Sequence, residues 1–303
     1  AADEWKVIDS PRGATNELSW DSTAVEGVDA NGVDDLTVTD GFGLGSGAAG
    51  YNDSGETFAS YNWKGNGAGS SNTDGSINTT ATSANATAGF SISTYTGTGS
   101  AATIGHGLGV APELIIVKER TNDAGGWFVY HAATTSDPET DYIYIDAAGA
   151  LVDDATVWND TAPTTSVFSI GTHDDINASG DTYVAHCWAG IPSYSKFGIY
   201  TGNASTDGTF VYTGFRPSFV MTKLTTSGSW YVFDKNDPGY NPNTNKISPN
   251  VPNAQEAKVH LDFLSNGFKF RVSTETNGAG THLYIAFAEA PFGGSGVSQA
   301  RAR

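Results

Sequence analysis

Residues 104–118 read "IGHGLGVAPELIIVK", and residues 212–223 read "YTGFRPSFVMTK". In each, glycine and then proline lead into an apolar run that ends on lysine. Such a short run, bounded by turn residues, reads as a buried strand. Pro112 and Pro217 lie 105 residues apart, as do Lys118 and Lys223, and so do Tyr95 and Tyr200 upstream. Three coincidences at one spacing mark an internal repeat. Gly109 and Gly214 supply backbone freedom at the corner, and Pro112 and Pro217 fix the approach to the strand.

Working outward, three more landmarks recur. A tryptophan strand reads "EWKVID" (4–9), "GWFVYH" (126–131) and "SWYVFD" (229–234). It puts Trp5, Trp127 and Trp230 at equivalent sites, which argues for a role in the core. An aromatic-glycine start reads "DGFGLGS" (40–46), "SVFSIGT" (166–172) and "NGFKFRV" (266–272). A closing strand reads "ETFASYNWKG" (56–65), "DTYVAHCWAG" (181–190) and "THLYIAFAEA" (281–290).

The opening hairpin that carries the glycine–proline corner occurs only twice. The chain therefore divides into a partial β-module at 1–65, a Gly/Ser/Thr/Asn-rich linker at 66–88, full modules at 89–191 and 194–292, and a flexible tail at 293–303. Module 1 starts at its tryptophan strand. Its hairpin is expected upstream in a longer protein, the alternative being completion by another segment or chain, because half a sandwich leaves an unpaired edge.

Short β-branched and aromatic runs at regular spacing make the expected class all-β: tandem β-sandwich or jelly-roll-like modules, about three repeats with the first truncated. "DYIYID" (141–146) alternates, with Tyr142 and Tyr144 on one face and Ile143 and Ile145 on the other. Only 253–263, "NAQEAKVHLDF", could start a turn of helix, and its second half reads as strand.

Charged residues make up 16% of the chain and net charge is −18, so the surface is mostly uncharged polar and would repel a phosphate backbone. Nucleic acid is thereby disfavoured as a partner, and no run of 18 apolar residues suggests membrane insertion. The single cysteine, Cys187, sits in an alternating strand and reads as an inert buried thiol.

Each candidate for chemistry has a plainer reading. His106 lies in a glycine-rich stretch, but module 3 has Val211 or Tyr212 at the expected equivalent, so the scaffold does not require histidine and a turn or cap is favoured. "GFGLGSG" (41–47) lacks the helix and Lys-Ser/Thr pair of a phosphate loop. Acidic turns at 29–35, 152–160 and 172–181 match no EF-hand spacing; no cofactor is expected, with structural Ca²⁺ left open. Glu289, which replaces Trp188 at the end of module 3, reads as an exposed terminal position. No catalytic residue and no metal ligand is assigned. Trp20 and Trp158, which do not recur, and the loop residue Tyr240 are the candidate ligand contacts.

Together "YTGTGSAATIGHGLGVAPELIIVK", "VWNDTAPTTSVFSIG", "SGDTYVAHCWAG", "SKFGIYTGN" and "FLSNGFKFR…YIAFAEAPF" resemble a domain repeated in virion proteins of marine tailed bacteriophages, of tail-fibre-like or uncharacterised structural type. The resemblance spans 1–292. It implies a virion-surface location, a non-enzymatic role in a tail fibre or similar appendage contributing to host attachment, and other virion proteins as partners. A homo-oligomer, such as a trimer, and a host-surface glycan or protein as ligand are expected with it. The alternatives are a capsid or tail decoration or surface filament without receptor function, and a glycan-binding adhesin or depolymerase.

Overall fold

Every strand predicted from alternating apolar residues needs a partner for its second face, and the three modules supply it to one another. The computed structural model describes residues 4–38, 41–45, 50–122 and 125–289; the expected tail at 293–303 lies outside them. Module 1 holds β1 (Lys6–Val7), β2 (Asn16–Ser19), β3 (Gly27–Val28), β4 (Val33–Asp35) and β5 (Gly43–Leu44). Module 2 holds β6 (Ala81–Asn85), β7 (Phe90–Thr96), β8 (Ala102–Gly105), β9 (Leu114–Glu119), β10 (Trp127–His131), β11 (Asp141–Tyr144), β12 (Val152–Asp153), β13 (Val167–Ile170) and β14 (Thr182–Trp188). Two single-turn helices, α1 (Ala155–Trp158) and α2 (Asp174–Asn177), interrupt it. Module 3 holds β15 (Ser195–Gly202), β16 (Phe210–Tyr212), β17 (Pro217–Leu224), β18 (Trp230–Asp234), β19 (Asn243–Lys246), β20 (Glu256–Leu264), β21 (Gly267–Phe270) and β22 (Gly280–Ala288). The chain is all-β, of sandwich type. Residues 256–264 are strand throughout, so the possible helix turn is not used.

The two full modules share one plan. In module 2 the sheet order is β12-β11-β10-β9-β14-β7-β6, with β13-β8 facing it; in module 3, β15-β22-β17-β18 faces β16-β21-β20-β19. The closing strand lies between the two opening strands: β14 between β7 and β9, β22 between β15 and β17. Each sandwich has its own core. Tyr95, Phe128, Trp158 and Phe168 fill module 2, and Tyr200, Phe233, Phe268 and Phe270 fill module 3.

The outward faces of the same sheets meet in a third core shared by all modules. Phe90, Leu114, Ile116, Trp127 and Trp188 from module 2 join Phe219, Met221, Trp230, Ile285 and Phe287 from module 3, with Leu18, Trp20, Tyr61 and Trp63 from module 1. The alternation in 141–146 serves both cores, Tyr142 turning into the sandwich and Ile143 and Ile145 into the shared core.

Register corrects four details of the sequence reading. Val167 pairs with Gly105, and Val211 with Phe268, so His106 corresponds to Thr213 rather than Val211 or Tyr212. Gly107 then matches Gly214, both at positive φ (69° and 87°), while Gly109 (φ 75°) belongs to a corner longer by two residues. Pro112 precedes β9, whereas Pro217 opens β17 ahead of a register shift. Trp188 lies opposite Leu114 and Phe287 opposite Phe219, so Phe287, not Glu289, stands where module 2 has Trp188.

The stretch read as a linker, 66–88, is a cover for module 2. Its β6 pairs along β7, and Ile77 bridges to Ile104 of β8. Small residues hid it, and small residues are what the position needs. Ser83 and Thr79 are buried with their hydroxyls bonded, and a side chain on Gly75 would sit 2.3 Å from the Thr103 carbonyl.

Candidate functional site

The most repetitive chemistry in the chain lies at its module boundaries. Trp127 Nε1 donates to the Ser19 carbonyl (2.8 Å), and Trp230 Nε1 to the Tyr144 carbonyl (2.7 Å). Lys118 Nζ donates to the carbonyls of Thr23 (3.0 Å) and Gly125 (2.7 Å); Lys223 Nζ donates to Gly149 (2.8 Å) and Gly228. The amide of Glu26 reaches the Arg120 carbonyl (3.0 Å), and that of Leu151 reaches Thr225 (2.7 Å). Each later module thus docks its tryptophan, lysine and following carbonyl onto the strand turn of the module before it. That turn is braced the same way three times. The amides of Trp5, Trp127 and Trp230 donate to Asp21, Asp146 and Asn250 at 3.0, 3.0 and 2.9 Å. Lys118 and Lys223 are therefore buried clasps, and burial pushes the pKa of Lys223 down to about 8.

The first boundary adds an ion network. Asp9 lies 2.7 Å from Arg12 and 3.1 Å from His186, and Glu26 joins Arg12 (2.9 Å) to Arg120 (2.6 Å). Burial alone would raise the Asp9 carboxyl, but the Arg12 charge and the His186 hydrogen bond overcome it and hold it well below the usual range.

His106 and His131 carry structural bonds. His106 Nδ1 accepts from the Leu108 amide (3.2 Å), which puts the proton on Nε2, facing the Thr164 carbonyl (3.2 Å). Thr213 does the same work at its site, its hydroxyl donating to the Phe215 carbonyl (2.6 Å). His131 repeats the brace on the Ala133 amide (3.2 Å) with Nε2 toward Tyr284 of module 3 (3.3 Å). Cys187 is fully buried and burial pushes its thiol up. Among the described residues, no group of three His, Cys, Asp or Glu gathers as a cation site. Asp154 and His173 cap α1 and α2. Glu289 is exposed and pairs with Lys235 (2.6 Å). A cavity of about 60 Å³ in module 3, lined by Thr222, Leu224, Tyr231, Thr276 and His282 among others, is of a size for water.

The three candidate ligand contacts do not converge. Trp158 is a correction: at 2% exposure it fills the module 2 core, its Nε1 donating to the Asp141 carbonyl (3.0 Å), because α1 turns it inward. Trp20 is half-buried at the shared core, edge-on to Trp127. Tyr240 alone is displayed, 64% exposed on a loop that Asn241 and Asn243 tie to neighbouring carbonyls.

The structure adds a surface that the sequence reading missed. Among the described residues module 3 has no counterpart of β6, and β15 lies at the edge of its sheet. Ile199 (48% exposed), Phe210 (44%) and Tyr212 (55%) stand there, tied together by Thr209 Oγ1 to the Thr201 carbonyl (2.7 Å) and Lys196 Nζ to that of Tyr212 (2.9 Å). At the matching sites module 2 has Thr94, Thr103 and Gly105, all under the 66–88 cover. A side chain on Gly105 would collide with Asn72 at 1.8 Å. The contrast between covered and uncovered edge was the signal. It could be read only once 66–88 was known to carry β6 and to cover module 2.

Residues 1–291 match the family model described as "Domain of unknown function (DUF7483)", and the chain belongs to that family. No curated protein and no solved structure matches it. No described helix is long and apolar enough to cross a membrane.

Proposed function

We propose that this member of the DUF7483 family is a non-enzymatic structural protein of a bacteriophage virion, part of a tail fibre or similar appendage that contributes to host attachment. The observation that supports it best is the repeated boundary clasp. Trp127 with Lys118, and Trp230 with Lys223, lock each module onto the one before it. A chain so joined is a rigid spacer that bears load through a buried seam. The ionisable groups at the seam are consumed in bracing it. The attachment surface in this reading is the module 3 edge of Ile199, Phe210 and Tyr212, whose flat apolar faces suit a host-surface glycan or a protein. Other virion proteins are its partners, and the virion exterior is its location.

Locating and counting the protein in purified particles tests this reading. A few copies at the tail are expected. Hundreds over the shell would make it a decoration protein, and its absence from particles would overturn the proposal. Incubation with host envelope glycans adds a second arm, in which new reducing ends would show a depolymerase instead.

A further inference from the structure

The shared core is built in triplets, and two of the triplets lack a member. Trp127 and Trp230 have Trp5 at the equivalent repeat position, at the margin of this core and stacked on Tyr61; Trp188 and Phe287 have Trp63; Ile285 has Tyr61, and His186, stacked on Trp127, holds that position in module 2. Leu114 with Phe219, and Ile116 with Met221, have no third among the described residues. Both pairs come from the strand that lies between the tryptophan strand and the closing strand: β9 in module 2, β17 in module 3.

Module 1 keeps a lane for such a strand. Trp5 stacks parallel to Tyr61 with ring centres 6.5 Å apart at 6°, and in module 2 Trp127 stacks on His186 at 6.3 Å and 19°, spanning β9. The spacing is the same, yet among the described residues β1 pairs only with β2, and 57–63 pairs with nothing. That segment is nonetheless strand-like, Tyr61 and Trp63 turned toward the core, Asn62 and Lys64 toward solvent, and Phe58 46% exposed.

Beside the lane, an apolar crevice is lined by Trp20, Trp63, Leu114, Ile116, Phe219 and Met221 among others. These include both existing members of the incomplete triplets. Three polar atoms buried at this junction, Trp20 Nε1, Tyr61 Oη and Trp188 Nε1, have no hydrogen-bond partner. Buried polar atoms without partners mark this junction as incompletely satisfied.

We propose that the lane between β1 and residues 57–63 receives one antiparallel strand of the repeat's own type, an apolar run ending on lysine like 114–118 and 217–223. Its alternate apolar side chains pack over the shallow crevice, and its lysine clasps the carbonyls of the module 3 turn at 248–253, completing the third boundary. In both full modules this strand comes directly before the tryptophan strand, separated by eight residues between Lys118 and Trp127 and six between Lys223 and Trp230. The occupant is therefore a segment of this stated chemistry, an apolar run that ends on lysine and lies beside a tryptophan strand. A second copy of this chain has no such strand to give, since its own two are already paired on both edges. The inference rests on repeat geometry and is independent of the proposed function.

Hydrogen–deuterium exchange tests it. In the 303-residue chain, amides of 58–63 are expected to exchange on the order of 100-fold faster than those of β14, as unpaired backbone does. Placing a second copy of 89–124 directly ahead of residue 1 should slow them by a similar factor. The same fusion with Ile116→Glu in the added copy should not, because it drives a charge into the crevice. Protection of 58–63 in the chain alone, or no protection in the fusion, overturns the proposal. Protection by a free peptide of residues 110–120 but not by the fusion would uphold the lane and overturn the strand order carried over from the full modules.

Discussion

Trp230 of module 3, itself fully buried, donates its indole N–H to the carbonyl of half-buried Tyr144, 86 residues earlier in module 2, at 2.7 Å. Removing one partner of a buried hydrogen bond leaves the other unsatisfied, at a cost of about 1–3 kcal/mol. Trp230→Phe is therefore expected to lower the thermal midpoint by several degrees, and Trp127→Phe to do the same through Ser19. Trp5 is only half-buried and its Nε1 has no acceptor among the described residues. Trp5→Phe should cost much less. Equal losses at all three sites in thermal unfolding would mean that ring packing, rather than the boundary bond, carries the effect.

Lys223 offers a second test of the same boundary. Burial lowers its folded pKa from 10.5 to about 8, so the fold disfavours its charged form. A lysine depressed in this way makes the protein more stable as pH rises from about 8 toward 10.5, where the unfolded chain still holds its proton. Lys223→Met should abolish this rise. It also leaves the Gly149 and Gly228 carbonyls unpaired, at a cost of about 1–3 kcal/mol near neutral pH. Urea midpoints for both proteins at pH 7.5 and 9.5 check the two effects separately.

How far the sequence reaches can be judged from these residues. The 105-residue recurrence of Lys118 and Lys223 was readable as a repeat, because apolar strands ending on one polar residue leave a periodic mark. That the lysines cross a module boundary was not readable, because the carbonyls they seek carry no side-chain signature. The strand in 81–85 was missed for a related reason: Ser83 and Thr79 are buried, but a run of small polar residues has the composition of a linker. Trp158 looked like a ligand contact because it does not recur; it does not recur because module 3 lacks the one-turn helix that turns it inward. The exposed trio of Ile199, Phe210 and Tyr212 was invisible for the converse reason, since alternating apolar residues read as core until the missing cover is known.

Acid should loosen the fold earlier than its carboxylates alone would. Burial holds His131 and His260 at about 4 in the folded protein, against about 6.5 unfolded. A histidine with a lowered folded pKa stabilises the fold above its unfolded value and loses that contribution as pH falls from about 6.5 to about 4. The expected slope is on the order of 1.4 kcal/mol per pH unit per histidine inside that window. Asp9, held below the usual range, adds its own loss only at lower pH, as the unfolded carboxyl begins to bind its proton. His131→Asn keeps an acceptor for the Ala133 amide and should flatten the slope between pH 6.5 and 4.5. An unchanged slope in urea titrations across that range would show that His131 does not titrate on unfolding.

The module 3 edge separates stability from attachment. Phe210 and Tyr212 point to solvent from β16, and Val211 between them points into the core. Truncating exposed side chains away from caps and networks changes stability by about 0.5 kcal/mol or less. Phe210→Ala and Tyr212→Ala should therefore leave the thermal midpoint nearly unmoved, while Val211→Ala should lower it by an amount typical of a small core cavity, about 1–3 kcal/mol. If this edge contacts the host, the first two substitutions reduce particle adsorption several-fold, and Val211→Ala acts on adsorption only as far as it unfolds the protein. Tyr240→Ala, on its separate braced loop, tells the two exposed sites apart. Adsorption unchanged by Phe210→Ala with Tyr212→Ala, but lost with Tyr240→Ala, would move the attachment surface to the loop between β18 and β19. Loss with neither would take attachment away from module 3 and leave the chain as a spacer.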